Sequence, residues 1–286
     1  MQELIVRYLE ELKAMGCSHH TMKMYAYHLK KFECFCQERG IDFRSVNGKE
    51  SRAFRGWLIS QGLAPKTINT IISAVKAFYD FLLEEGEVKG NPITRKLRVV
   101  EERKLPGFLI PEQEEALLEH FKKLPRHVDL AFRTMLATGL RVSEVAALKS
   151  ADIFQQKGRV FLRIRQGKGK KERIVPVTDP ETARELWELK QEKKESVFGV
   201  SDATLKWHAW RIKKETGIDF HTHRLRHTLA TKLLARGVGI DVVQEVLGHE
   251  NINTTRIYAK TALQKVFDLA APAGEDAGEI VVFQTR

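Results

Sequence analysis

The sequence predicts a mainly α-helical protein with a small β-sheet, an α+β chain organised in two domains. Three observations carry this. Apolar residues recur every three or four positions over most of the 286 residues, the period of a helix that buries one face. Two short runs, RVFLRIR and ERIVPVT, instead alternate or cluster β-branched residues as strands do. Between the first hundred residues and the rest stands NPITRKLRVVEERKLPGFLIPEQ, whose prolines and clustered charge read as a tether.

Taken in order, helical periodicity runs from Leu4 to Leu12 and from Thr21 to Cys36, then over 48–61 and 67–85. Pro65 ahead of Lys66 and Thr67 marks a helix start, and Gly86 a stop. Residues 1–96 therefore read as an all-helical domain, 97–106 as the linker and 107–286 as a second domain. In that second domain PEQEEALLEHF and HVDLAFRTMLATGL are helical. The two strands follow, joined by the basic turn QGKGKK, and helical periodicity returns over 203–216, 223–236 and 240–247.

Lysine and arginine exceed aspartate and glutamate by 48 − 37 = 11, a balance suited to a polyanionic partner. The excess is uneven. Residues 97–262 hold 31 basic against 22 acidic side chains, and residues 263–286 hold 2 against 4, so the last segment is poorly suited to gripping phosphates. No stretch approaches the about 18 apolar residues needed to span a bilayer, and the start, MQELIVRYLEEL, lacks the build of a signal peptide. A cytoplasmic protein is expected. Cys17, Cys34 and Cys36 form neither a C-x-x-C pair nor an even disulfide set, and no Cys/His spacing suits a metal. They read as small buried or half-buried hydrophobes.

Four polar signals stand in the second domain. In ATGLRVSEVAALK, Arg141 and Glu144 are three apart and would share a helix face, the carboxylate bracing the guanidinium; alone, this reads as a surface ion pair. In QGKGKKERIVP, Gly167 and Gly169 leave Lys168 at the projecting point of a turn, where a solvated lysine is the ordinary reading. In HTHRLRHTLATKLL, His223 and Arg226 fall near a helix start, a place that favours anions. In LGHENINTTRIYAK, Gly248 can end one helix and Asn253 or Thr254 can cap the next, which puts His249 in the turn and Tyr258 about one turn into the new helix.

Jointly and in this order, these segments resemble the tyrosine recombinase (phage integrase) family, most closely its Xer-like site-specific recombinases. The family's arginine, lysine, H-x-x-R, histidine and tyrosine match Arg141, Lys168, His223, Arg226, His249 and Tyr258. The stretches SHHTMKMYAYHL and APKTINTIISAVKAFYDFL look like helices of the family's N-terminal core-binding domain, so the resemblance spans nearly the whole chain.

The resemblance implies an enzyme that cleaves DNA by attack of the tyrosine oxygen on a phosphodiester, giving a 3′-phosphotyrosyl link and a free 5′-hydroxyl. Strands then rejoin through a Holliday junction, as in dimer or cointegrate resolution. The bond energy is kept in the protein–DNA link, so no cofactor or metal is implied. By the same resemblance, Arg141 and Arg226 hold the phosphate, Lys168 protonates the departing 5′-oxygen, His223 helps to deprotonate the tyrosine and His249 hydrogen-bonds the phosphate. Glu144 orients Arg141 or the histidine.

DNA contacts are expected from both domains, with His20, Thr21, Lys66 and Thr67 among those of the first. The apolar tail TALQKVFDLAAPAG resembles the family's terminal helix, which packs into a neighbouring protomer and arranges a homo-tetramer on two DNA sites. The final GEIVVFQTR reads as a short strand. An accessory protein or a cell-division translocase as activating partner is left open by the sequence. Two other readings compete: strand relaxation of the type IB topoisomerase kind, against which the tail argues, and a non-catalytic DNA-binding accessory protein, against which the complete residue set argues.

Overall fold

The computed structural model describes residues 1–102, 107–165, 172–192 and 195–248. The Lys168 turn, His249, Tyr258, the apolar tail and the final expected strand lie outside the described residues. The chain divides into two compact units, Met1–Arg103 and Lys104–Arg286.

The first unit contains α1 (Gln2–Ala14), α2 (His19–Glu38), α3 (Gly48–Ser60) and α4 (Pro65–Glu84). Their starts are set locally. Ser18 caps α2 by accepting from Thr21 N at 3.1 Å, which satisfies one of the four orphan N–H groups of a helix start. Asn47 and Glu50 form a reciprocal capping box at α3. Pro65 is the first residue of α4, where its missing N–H costs nothing.

The buried faces meet in a core rich in aromatics, with Phe32 edge-on to Phe54 at 5.0 Å between centroids. Each such fully buried side chain stabilises the fold by about 1.5–3 kcal/mol. Tyr79 is buried with them, and its hydroxyl donates to Phe43 O at 2.8 Å, so the ring keeps its polar end satisfied. Leu97 joins this core, and Asn69 holds the next residues by accepting from Val99 N at 2.8 Å and donating to Val99 O at 2.9 Å. Cys36 is buried, and Cys17 and Cys34 are half-buried, all three as free thiols.

The second unit opens with α5 (Pro111–Phe121) and α6 (Arg126–Thr138), followed by the short α7 (Val142–Ala146). A three-stranded antiparallel sheet comes next, β1 (Ile153–Gln156), β2 (Arg159–Ile164) and β3 (Arg173–Pro176), in the order β1-β2-β3. Four helices complete the described part: α8 (Pro180–Glu192), α9 (Asp202–Thr216), α10 (Thr222–Ala235) and α11 (Ile240–Leu247). Phe121, Phe132 and Phe220 form the aromatic centre of the main core. α6 packs along both α10 and α8. A separate small cluster, Leu229, Ala230, Leu233, Val243 and Leu247, joins α10 to α11.

Mainly helical architecture with a small sheet agrees with the fold class read from the sequence. β2 and β3 pair antiparallel, with Ile164 facing Arg173. The sequence reading passed over β1 and α8. β1 has four residues, of which Ile153 alone is buried, too few to show alternation. Its turn into β2 uses Lys157 and Gly158, both at positive φ (47° and 76°), as a type I′ turn requires, with lysine where asparagine or aspartate is usual.

Candidate active site

Three arginines converge on the last turn of α11. Arg173 Nε donates to Val246 O at 3.2 Å, Arg226 Nη2 donates to Leu247 O, and Arg141 Nη2 donates to Gly248 O at 2.9 Å. Three successive carbonyls thus each receive a guanidinium. A helix C-terminus leaves its last carbonyls without intrahelical partners and carries the negative end of the helix dipole, so cations belong there. Gly248 ends the helix at φ +64°, and a Cβ placed on it would fall 3.0 Å from Arg173 Cζ. Only glycine combines that backbone with that approach.

Arg141 is the residue before α7, and Glu144 is its third helical residue. The sequence places the pair on a shared helix face; in the fold Arg141 is the N-cap, and the two meet because Glu144 folds back over the helix start. Arg141 N donates to Glu144 Oε2 at 2.8 Å and Arg141 Nη1 donates to Oε1 at 2.8 Å. From β3, Arg173 lays a two-pronged fork on the same carboxylate, Nη1 to Oε1 at 3.0 Å and Nη2 to Oε2 at 2.8 Å. Each carboxylate oxygen therefore accepts two bonds. The side chain of Glu144 is 3 % exposed; burial opposes its ionisation, and the bonds from Arg173 and then Arg141 outweigh that and hold its carboxyl below the usual carboxylate range. It is not a surface ion pair but a buried one with two cations.

Arg226 is buried on α10 and also donates to Gly139 O at 2.7 Å, the residue that closes α6. His223 is the second residue of α10 and stays exposed. Its imidazole is held below its ordinary pKa by partial desolvation first, then by the charges of Arg226, His221 and Arg141. The lowering favours its neutral form, the one able to accept a proton. His227, one helical turn on, has its ring centroid 6.4 Å from that of His223. Burial, then the neighbouring histidines and arginines, push it down to about 4.

The structure brings Arg141, Glu144 and Arg226 together around the end of α11. His223 lies on the same helix as Arg226. Three guanidiniums against one carboxylate leave an excess of positive charge suited to a phosphate diester. Two residues of this cluster escaped sequence reasoning. Arg173 had one signal, its position two residues after the basic turn QGKGKK, near the head of a strand; His227 had one, its spacing of four from His223. The expected DNA contacts of the first unit occupy equivalent places: His20 and Thr21 are the second and third residues of α2, Lys66 and Thr67 those of α4. Among the described residues no group of three His, Cys, Asp or Glu side chains could hold a metal ion, and no helix is long and apolar enough to cross a membrane.

The sequence profile of the phage integrase family matches residues 107–265, more than half of the chain. The protein belongs to the phage integrase family. The profile of the family's N-terminal SAM-like domain matches residues 5–86. Tyrosine recombinase XerA of Pyrococcus furiosus is 33 % identical over 271 residues, covering 90 % of this chain and 89 % of that protein. Tyrosine recombinase XerC of Staphylococcus haemolyticus is 32 % identical over 294 residues, covering 95 % and 98 %. Among solved structures, the XerH site-specific recombinase bound to a palindromic difH substrate in a post-cleavage complex matches with a TM-score of 0.72 and 25 % identity over 91 % of this chain and 82 % of that one. The chain is a Xer-like tyrosine site-specific recombinase, an enzyme of DNA recombination.

Proposed function

We propose that this phage integrase family member cuts and rejoins double-stranded DNA at a specific recombination site, through a 3′-phosphotyrosyl intermediate on Tyr258 and a Holliday junction, and that it resolves dimers or cointegrates. One observation supports this above the others: Arg141 and Arg226 donate to adjacent carbonyls, Gly248 O and Leu247 O, immediately before His249 and ten residues before Tyr258 in the sequence. Two guanidiniums held side by side match the two non-bridging oxygens on which charge collects during attack.

In the reaction the Tyr258 oxygen bonds to phosphorus and the bond from phosphorus to the 5′-oxygen breaks. The phenol, whose pKa lies about three units above neutrality, gives its proton to neutral His223. Lys168 gives a proton to the departing 5′-oxygen, and His249 donates a hydrogen bond to the phosphate. Rejoining runs the same steps in reverse on another strand. Binding falls to the positive excess of residues 97–262 and to the helix starts at His20, Thr21, Lys66 and Thr67, where the positive end of the helix dipole suits phosphates. Residues 263–286 join four protomers on two sites in the cytoplasm.

A nicked duplex library incubated with the protein, without metal or ATP, tests this on denaturing gels. A covalent adduct that disappears in Tyr258→Phe while DNA binding persists supports it, and the trapped DNA gives the site. A supercoiled plasmid with two directly repeated copies of that site then yields two circles. Relaxation of any plasmid without exchange would indicate topoisomerase activity, and binding without an adduct on any substrate would indicate an accessory protein.

A further inference from the structure

We propose that Arg173 is a positioning residue for strand cleavage, fastening Glu144 and the end of α11 in one frame and so setting the directions of Arg141 and Arg226. The inference rests on the cleavage reading of the site.

Arg173 is anchored at its backbone by the pairing of β3 with Ile164 of β2, and its side chain is 11 % exposed. Its guanidinium is spent inward: two nitrogens on the two oxygens of Glu144, the third on Val246 O. It therefore ties three separate parts of the chain. Glu144 carries Arg141 through two further bonds, and the carbonyls after Val246 take Arg226 and Arg141. Removing the fork leaves Glu144 free to draw Arg141 toward itself and frees the carbonyl next to those two. The plane of a guanidinium meets both oxygens and the carbonyl at once, whereas lysine offers a single point charge.

The test uses the full chain, the nicked duplex carrying the cleavage site, and the variants Arg173→Lys and Arg173→Gln. Single-turnover adduct formation is measured at saturating DNA, beside DNA affinity and the thermal midpoint. Both variants are expected to slow cleavage about tenfold or more, because small misplacement of catalytic groups is costly, with affinity within about twofold of the parent. A merely structural role would not produce the second readout, a duplex with a neutral methylphosphonate at the scissile position. With less charge to hold there, the deficits of Arg141→Ala and of the Arg173 variants should shrink together. Unchanged cleavage, a loss accounted for by lower affinity or by protein unfolded at the assay temperature, or the same deficit on both duplexes would overturn the inference. Should Arg173→Gln not fold, Arg173→Lys decides. If the unsubstituted protein forms no adduct, the Tyr258 reading falls and takes this one with it, a result distinct from an active protein indifferent to Arg173.

Discussion

Arg226 and Gly139, 87 residues apart in sequence, are joined by a 2.7 Å hydrogen bond from guanidinium to carbonyl. The bond fastens the end of α6 to α10 from within, since Arg226 is 4 % exposed. One side chain thus serves the fold and, on the proposed reading, the phosphate.

Arg226→Ala should accordingly lose both stability and cleavage. Two carbonyls, Gly139 O and Leu247 O, lose a charged donor, at a cost of about 1–3 kcal/mol for each left without a replacement. Thermal unfolding checks the first effect. Adduct formation on nicked DNA checks the second, which should fall by about a hundredfold or more; Arg226→Lys should keep part of both.

Gly139→Ala should be far more damaging than Gly158→Ala. Both glycines have positive φ, 67° and 76°, and so carry a similar backbone cost of about 1 kcal/mol. At 139 a Cβ would also lie 2.5 Å from Leu247 Cδ2 and 3.1 Å from Leu229 Cδ2, whereas at 158 it meets nothing within 4 Å. Overpacking adds about 1–3 kcal/mol, so urea midpoints should separate the two variants, and Gly139→Ala should also lose cleavage by displacing α11.

Acid should weaken the second unit in two steps. His227 has a folded pKa of about 4, below its ordinary 6.5, so the folded state binds its proton less readily than the unfolded chain does. The stability from keeping it neutral is complete above about pH 6.5 and is lost as pH falls toward 4, with a slope of at most about 1.4 kcal/mol per unit. Glu144, also depressed, contributes above its unfolded value and is lost only at lower pH still. Thermal midpoints measured from pH 7 to 4 should decline, and His227→Gln should flatten the upper part of the decline.

Thr228→Val should destabilise and Thr228→Ser should not. The Thr228 hydroxyl accepts from Leu109 N at 2.9 Å in a buried position, and valine of similar shape leaves that N–H without its acceptor, at about 1–3 kcal/mol. Equilibrium unfolding in urea gives the comparison.

Much of this was legible because the signals are local. The 3.6-residue period located most helices, Pro65 marked one helix start, and Arg141, Glu144 and Arg226 could be chosen from short motifs. α8 was missed although PETARELWELKQE has helical spacing, because its charged surface dilutes the buried stripe of Thr182, Leu186 and Leu189, of which two alone are apolar. Arg173 could not be chosen from spacing, since its partners lie 29 and 73 residues away, a separation that only the folded sheet closes. The meeting of Arg141 with Glu144 was foreseen, but through a helix face rather than a helix start. His227 reads as an ordinary helical residue until its neighbours are in place.

The eight-residue α11 rests mainly on the small cluster it shares with α10, with Val246 packed against the main core. A short helix held mostly by a small apolar cluster and by hydrogen bonds at its end opens more readily than the body of a domain. Because Val246, Leu247 and Gly248 receive Arg173, Arg226 and Arg141 in turn, one such opening would release all three guanidiniums in a single event. The chain runs on from Gly248 for 286 − 248 = 38 residues, so on the proposed reading whatever grips those residues acts on the phosphate cradle without touching it. The amide protons of α11 should exchange faster than those of α6, and the cradle should be all aligned or all slack, with no graded state between.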